Sequence, residues 1–315
     1  MRKAFKKLLK NKPLIVLVIT SVVVAILNPR FITWGNIVTV LRQTSINAVI
    51  ATGMTFAILI GGIDLSVGSV LGLCGAVSAA MISSGMNVLF VVAATLLFGT
   101  AIGLVNGTLI TAGRLQPFIA TLGTVTLLRG VILVFTQGRP ISTGSTEASQ
   151  MFGKIGTGFI GPIPIPVYIM AVVFVIAYYI LNHTKIGRYI YAVGSNEEAT
   201  IYSGINTNKI KLFVYAASGM MAGLAGILIT ARLGSAQPTA GAGYELDAIA
   251  AVVLGGTSMA GGIGTIAGTA IGALIIGVLN NALNLMQVSS YYQDVAKGIV
   301  ILIAVLLDRK QKLSR

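Results

Sequence analysis

The chain has 315 residues, of which 55% are hydrophobic and only 10% charged, against roughly 25% charged in an average soluble domain. With a mean hydropathy of +0.91, the outer surface must be apolar as well as the core, which excludes an ordinary soluble domain and points to lipid. The formal net charge of +14 would suggest nucleic acid in a soluble protein, but the basic residues cluster between long apolar runs, as in loops kept on the cytoplasmic side of a membrane, so no nucleic-acid partner is expected.

The first cluster, Arg2, Lys3, Lys6, Lys7, Lys10 and Lys12, precedes the apolar run Leu14 to Leu27. This start resembles a signal peptide. No small-x-small cleavage site follows it and many further spans do, so it reads as a retained first span. A helix needs about 20 apolar residues to cross the bilayer. The runs that qualify are about 13–33, 43–61, 65–84, 88–110, 117–137, 166–182, 210–232, 245–260, 264–287 and 291–307. The expected fold is an all-α polytopic membrane protein of about ten transmembrane helices, forming a single transmembrane domain over 1–315 with a spanning region of 13–307. Arg309, Lys310, Lys312 and Arg315 make the tail basic like the start. Both termini should then be cytoplasmic, which needs an even number of spans. This orientation puts Arg114 in an inner turn, the Gly-, Pro-, Ser- and Thr-rich loop 138–165 outside, and 183–209 inside with its Lys185, Arg188, Lys209 and Lys211.

Trp34, the sole tryptophan, falls at the first outer turn. Past the second span, Asp64 interrupts the apolar pattern within Gly61-Gly-Ile-Asp-Leu-Ser-Val-Gly68. An acid at a helix centre costs about 2.5–3.5 kcal/mol on insertion scales, so it faces a cavity or a partner. Asp64 also fits a helix N-cap, and both readings stand. Cys74 lies in an apolar run and reads as inert packing. Gly99-Thr-Ala-Ile-Gly103 in the fourth span is echoed by Gly268-Thr-Ala-Ile-Gly272 in the ninth. Spacing by four puts the glycines on one helix face. An offset of five spans reverses orientation, so the halves could be an inverted repeat.

The loop 183–209 carries Ser195, Asn196, Glu197, Glu198, Ala199, Thr200, Ile201, Tyr202, Ser203 and Gly204. Ser195 with Glu198 three residues on forms a capping box. Gly204 suits a left-handed stop. The product is a helix of about two turns, either a knob that docks a soluble partner or a plain connector. Tyr244, Glu245 and Asp247 open the eighth span. On the ninth, Asn280, Asn284 and Gln287 recur on one helical face, with Asn281 beside them. Amides both donate and accept, as a route for a polar solute needs, and they also glue helices together. On the tenth, Asp294 and Lys297 are spaced to pair along one face. Aromatic stacking surfaces are scarce in the spans, which suggests weak solute binding there with selection made elsewhere.

Catalytic chemistry lacks a carrier. No segment reads G-x-x-x-x-G-K-[ST], so the chain holds no phosphate-cradling loop and is not expected to hydrolyse ATP. No nucleophile constellation stands out. The single histidine, His183, argues against a His-based metal site.

Six stretches together resemble a known family. They are Gly61 to Ser69, His183 to Gly194, Ser203-Gly-Ile-Asn206, Ser235-Ala-Gln-Pro through Asp247, Leu254-Gly-Gly-Thr-Ser-Met-Ala-Gly-Gly262, and Ser289-Ser-Tyr-Tyr-Gln293. The chain resembles the permease subunit of bacterial carbohydrate ABC importers, most closely the ribose permease. The resemblance implies a multi-pass permease of the bacterial inner membrane that moves ribose or a similar monosaccharide and is not itself an enzyme. The implied partners are a second permease copy, a cytoplasmic ABC ATPase that uses ATP and Mg, a periplasmic sugar-binding protein and membrane lipid. It also makes 196–203 the coupling helix to that ATPase. Glu198-Ala-Thr…Gly204 partly echoes the Glu-Ala-Ala…Gly loop of importer permeases, with Thr200 in place of the second alanine, and the Ile-x-Leu-Pro that often follows is missing. Asp64, Tyr244, Glu245, Asp247, Asn280, Asn284 and Gln287 are the candidates for a translocation path. A different small sugar or sugar-like solute, or an ion-coupled secondary carrier drawing on Asp64, Glu245 and Asp247, are the alternatives.

Overall fold

The computed structural model describes residues 12–313. In chain order its helices are α1 Lys12–Leu27, α2 Trp34–Leu59, α3 Val67–Ser83, α4 Val88–Thr111, α5 Pro117–Thr136, α6 Glu147–Thr157, α7 Ile165–His183, α8 Lys185–Ser195, α9 Glu197–Tyr202, α10 Thr207–Leu233, α11 Tyr244–Leu254, α12 Ile266–Leu285 and α13 Ser290–Leu313. Four two-residue strands make two small antiparallel pairs: β1 Ile141–Ser142 with β4 Ser235–Ala236, and β2 Phe159–Ile160 with β3 Ile163–Pro164. The protein is an all-α polytopic membrane protein. Five helices (α4, α5, α7, α10 and α12) are long and apolar enough to cross a bilayer, and α1 and α3 are shorter apolar helices. Local signals set the ends. Asn87 accepts from Leu89 N and Phe90 N to open α4, and Asn206 accepts from Lys209 N to open α10. Gln137 and Gly234 close α5 and α10 in the left-handed conformation.

All ten expected runs contain a helix, in the expected order. Three details differ. The eighth run stops at Leu254, and 255–265 is a glycine-rich loop. At about 1.5 Å per residue, the 11 residues of α11 cover only half of a roughly 30 Å hydrocarbon core. The 138–165 loop is not irregular throughout: Thr146 caps α6, and its Phe152 is fully buried with Ile82, Val91 and Ile227. The 183–209 loop holds two helices, because α8 buries Gly187, Ile190 and Val193 as one face ahead of the short α9.

Contacts between turns sort the loops into two sets. The β1–β4 pair ties 137–146 to 234–243, and Asn28 Nδ2 donates to Leu285 O at 3.3 Å. On the other side, Gly262 N donates to Leu59 O at 2.9 Å and Tyr191 OH donates to Gly264 O at 2.9 Å. That sorting fits ten alternating passages. The clusters Arg2 to Lys10 and Arg315, part of the orientation expectation, lie outside the described residues.

Packing partners exchange when the first five spans are laid on the last five. α4 packs on α10 as α12 packs on α2; α3 packs on α4, α10 and α5 as α11 packs on α12, α2 and α13. The outermost pair departs from this exchange, since α1 packs on α12 and α7 on α2. The glycine echo is a separate matter. Gly99 and Gly103 press on α10 backbone at Gly219 and Tyr215, whereas Gly268 and Gly272 press on Gly255 and Ala251 around the end of α11. The two motifs face non-equivalent partners, so the helix pairing, not the echo, carries the repeat.

Candidate functional site

The candidate acids and amides fall in three places. The first is the break between α2 and α3. Asp64 is 1% exposed. Its Oδ1 accepts from Ser66 N at 3.0 Å and Ser66 Oγ at 2.6 Å, and its Oδ2 accepts from Ser218 Oγ at 2.7 Å. Asn106 Nδ2 donates to Ser66 Oγ at 2.8 Å, and Thr124 Oγ1 donates to Asn106 Oδ1 at 2.6 Å. One carboxylate thus gathers the helix break, α4, α5 and α10. Non-helical backbone at membrane depth is tolerated where protein buries and satisfies it. Asp64 orders the turn into α3, next to the capping role expected of it.

The second place is where α11 begins. Gly241 and Gly68 meet backbone to backbone, and Glu245 Oε2 lies against Gly68. The 238–243 segment therefore dips to the N-terminal turn of α3, and α11 starts within the membrane. Arg129 Nη1 donates to Ala240 O at 2.8 Å, tying α5 to the same segment. Glu245 sits near two helix N-termini, where partial positive charge favours a carboxylate.

The third place is a polar cavity of about 250 Å³ between α2, α10, α11, α12 and α13. Tyr244, Asp247, Asn280 and Asn284 all line it. Asp247 Oδ2 takes Lys297 Nζ at 3.4 Å and Asn280 Nδ2 at 3.4 Å. Gln293 Nε2 donates to Asn284 Oδ1 at 3.0 Å. A larger hollow of about 340 Å³ is walled by side chains such as Phe56, Val173, Ile176, Phe213 and Met221. Its apolar walls give a hydroxylated solute little to bond.

Two expectations change here. Lys297 pairs with Asp247 rather than Asp294, because α13 packs along α11 and brings a more buried carboxylate into reach. Gln287 does not continue the amide stripe, since α12 ends at Leu285 and Gln287 turns out in a left-handed conformation, φ 56°. Asn281, beside the stripe, acts as helix glue, exchanging amide bonds with Asn36 at 2.9 and 2.8 Å. Of the seven path candidates, four meet in the cavity, while Asp64, Glu245 and Gln287 lie elsewhere. Sequence reading missed Gln43, Thr44 and Asn47 on α2, Arg232, Gln293 and Lys297, which complete the cavity. Gln43 and Asn47 stand at i and i+4, a polar stripe within an apolar run and a usable signal.

On the opposite face α9 forms a knob. Its cap is Asn196, whose Oδ1 accepts from Ala199 N at 2.9 Å. Ser195 is instead the last residue of α8 and donates to Tyr191 O, so the capping box expected at Ser195 and Glu198 does not form and a simple Asn196 cap takes its place. Gly204 does take a left-handed conformation, φ 80°. Glu197 forms an ion pair with Lys211 at 2.6 Å, anchoring the knob to α10. Thr200 is buried, while Ile201 and Tyr202 are 52% and 89% exposed. Beneath it, Gly194 lies against Leu59 O and Gly262 N, so a side chain at 194 would collide with both the α2 end and the 255–265 loop.

Residues 36–305 match the family described as branched-chain amino acid transport system / permease component. The chain is 57% identical to the ribose import permease protein of Haemophilus influenzae, over 96% of this chain and 93% of that one. It is 53% identical to the ribose import permease protein of Bacillus subtilis, over 96% and 93%. It is 42% identical to the D-allose transport system permease protein of Escherichia coli, over 92% and 90%. No solved structure matches.

Proposed function

We propose a role in sugar import from a plain premise: the chain belongs to the family of branched-chain amino acid transport system permease components. Its cargo is ribose. The observation that carries this is identity of 57% and 53%, nearly end to end, to two ribose import permeases from different bacteria. The 42% identity to a D-allose permease keeps a second monosaccharide as the next reading.

The rest of the machine follows from what this chain carries. Its sequence has no phosphate-cradling loop, so a cytoplasmic ABC ATPase supplies the energy, with ATP and Mg. The α9 knob is the coupling helix. It is capped by Asn196, pinned by Glu197 to Lys211, and leaves Ile201 and Tyr202 exposed to a partner groove. Large exposed apolar side chains on a polar loop favour a docking surface. Gly194 against Leu59 and Gly262 gives the knob rigid contact with the α2–α3 break and the 255–265 loop, so a push on α9 reaches both interrupted helices. A second permease copy completes the passage, a periplasmic binding protein delivers the sugar, and α9 with both termini faces the cytoplasm of a bacterial inner membrane.

The test is uptake into proteoliposomes holding the permease with its ATPase. Labelled ribose should accumulate only with internal or external ATP on the ATPase side and with binding protein on the other, and an uncoupler should leave it intact. Uptake by the permease alone that collapses with uncoupler would replace this reading with an ion-coupled carrier.

A further inference from the structure

The polar cavity contains more hydrogen-bond acceptors than the chain satisfies. Thr44 Oγ1, Asn47 Oδ1 and Asn280 Oδ1 are buried without a hydrogen-bond partner. Thr44 is 2% exposed, and Gly277 of α12 lies directly against its hydroxyl. Asp247 is 5% exposed, and both of its polar contacts are long, at 3.4 Å. The carboxylate therefore has room for further donors. Unsatisfied buried polar groups are rare in native proteins and each calls for an explanation. The space, about 250 Å³, greatly exceeds the roughly 10–15 Å³ that one water needs.

We propose that each chain holds one sugar of its own in this cavity, between α2, α10, α11, α12 and α13, as a station on the route. This deepens the sugar-import reading and rests on it. The lining selects the ligand class. Two amide oxygens and a carboxylate need donors, so an anion, which brings only acceptors, leaves them unsatisfied. An ammonium ligand would donate, but Arg232 and Lys297 stand in the same wall and repel it. A neutral, hydroxyl-rich molecule meets both conditions: its hydroxyls donate to Asn47, Asn280 and Asp247 and accept from Lys297 and Arg232. Tyr244 is the sole aromatic residue of the lining, so stacking is minimal and the sugar is held weakly, as a station that must release requires.

The experiment uses the permease–ATPase complex in nanodiscs, without binding protein, and labelled D-ribose as probe. Saturable binding of one ribose per permease chain is expected. Unlabelled ribitol, neutral and hydroxyl-rich, should displace it, whereas ribose 5-phosphate and the cationic 1-amino-1-deoxy-D-ribitol should not. Thr44→Val and Asn47→Leu should each weaken binding roughly tenfold, the loss of one or two hydrogen bonds. The competition series needs only the native complex, so it decides the matter even if a variant misfolds. Absence of saturable binding, displacement by the phosphate, or variants that bind as the native complex does would each overturn the proposal and leave a water-filled cavity. Failure of the import reading is separable: it would show as native complex that binds ribose here but never transports it with ATP.

Discussion

At Asn196 and Ser195, one residue decides which side chain holds α9 together. The sequence reading places the cap at Ser195, although Asn196 is also a short polar residue just before an acidic first turn. Structure selects Asn196, because α8 runs on through Ser195 and turns that hydroxyl back to Tyr191 O. Asn196→Ala removes the bond to Ala199 N and should cost about 1 kcal/mol of helix stability, which corresponds to roughly fivefold weaker docking of the ATPase. Ser195→Ala should change docking by less than twofold, because the helix-interior bond it removes contributes little. Affinity of nanodisc-held permease for the ATPase checks both, and equal losses in the two variants would return the cap to Ser195. The same limit of local reading explains Gln287 and Lys297. Periodicity extends a stripe as long as the helix lasts, yet it cannot see that α12 ends at Leu285. Local spacing pairs Lys297 with Asp294, yet it cannot see Asp247 arriving from another helix.

Elements were far more legible than the positions of single side chains. Ten apolar runs became ten helices, since lipid leaves a spanning backbone little choice but to satisfy its own hydrogen bonds. What periodicity hid was depth. The half-length of α11 depends on 234–243 sinking to Gly68 of α3, a contact between segments far apart in the chain. Likewise α8 and α6 were hidden because amphipathic surface helices are too polar to register as spans. Close helix approach makes the glycine positions unequal. A methyl group on Gly103 would strike the Tyr215 carbonyl, while one on Gly123 meets nothing within 4 Å. Gly103→Ala should therefore destabilise the α4–α10 pair by about 1–3 kcal/mol, as overpacking does. Gly123→Ala should be neutral or slightly stabilising, since alanine favours a helix. Thermal stability followed by fluorescence-detected size exclusion separates the two, and matching melting points would mean that α4 and α10 do not touch as described.

Across the whole molecule, the two sets of loops give each face its task. One face carries the Asn284 and Gln293 end of the polar cavity's lining, together with the β1–β4 tie. The other carries α8, α9 and the 255–265 loop. An importer driven by a cytoplasmic ATPase needs the knob inside and the cavity's polar end toward the outside, and the basic loop 183–209 points the same way. The labelling sites follow from exposure. Ser145 is exposed beside β1, and Tyr202 is 89% exposed on α9. Thr207, at the start of α10, is 5% exposed and would be a poor reporter. In a Cys74→Ala background, which removes the single buried thiol, Ser145→Cys should react with an impermeant maleimide in intact spheroplasts. Tyr202→Cys should react only after permeabilisation, and added ATPase should then protect it, because docking covers that side chain. Labelling of Tyr202→Cys from outside would invert the molecule and end the importer reading, since the knob would then face a compartment without ATP. Labelling from inside without protection would keep the topology but remove α9 from the ATPase interface.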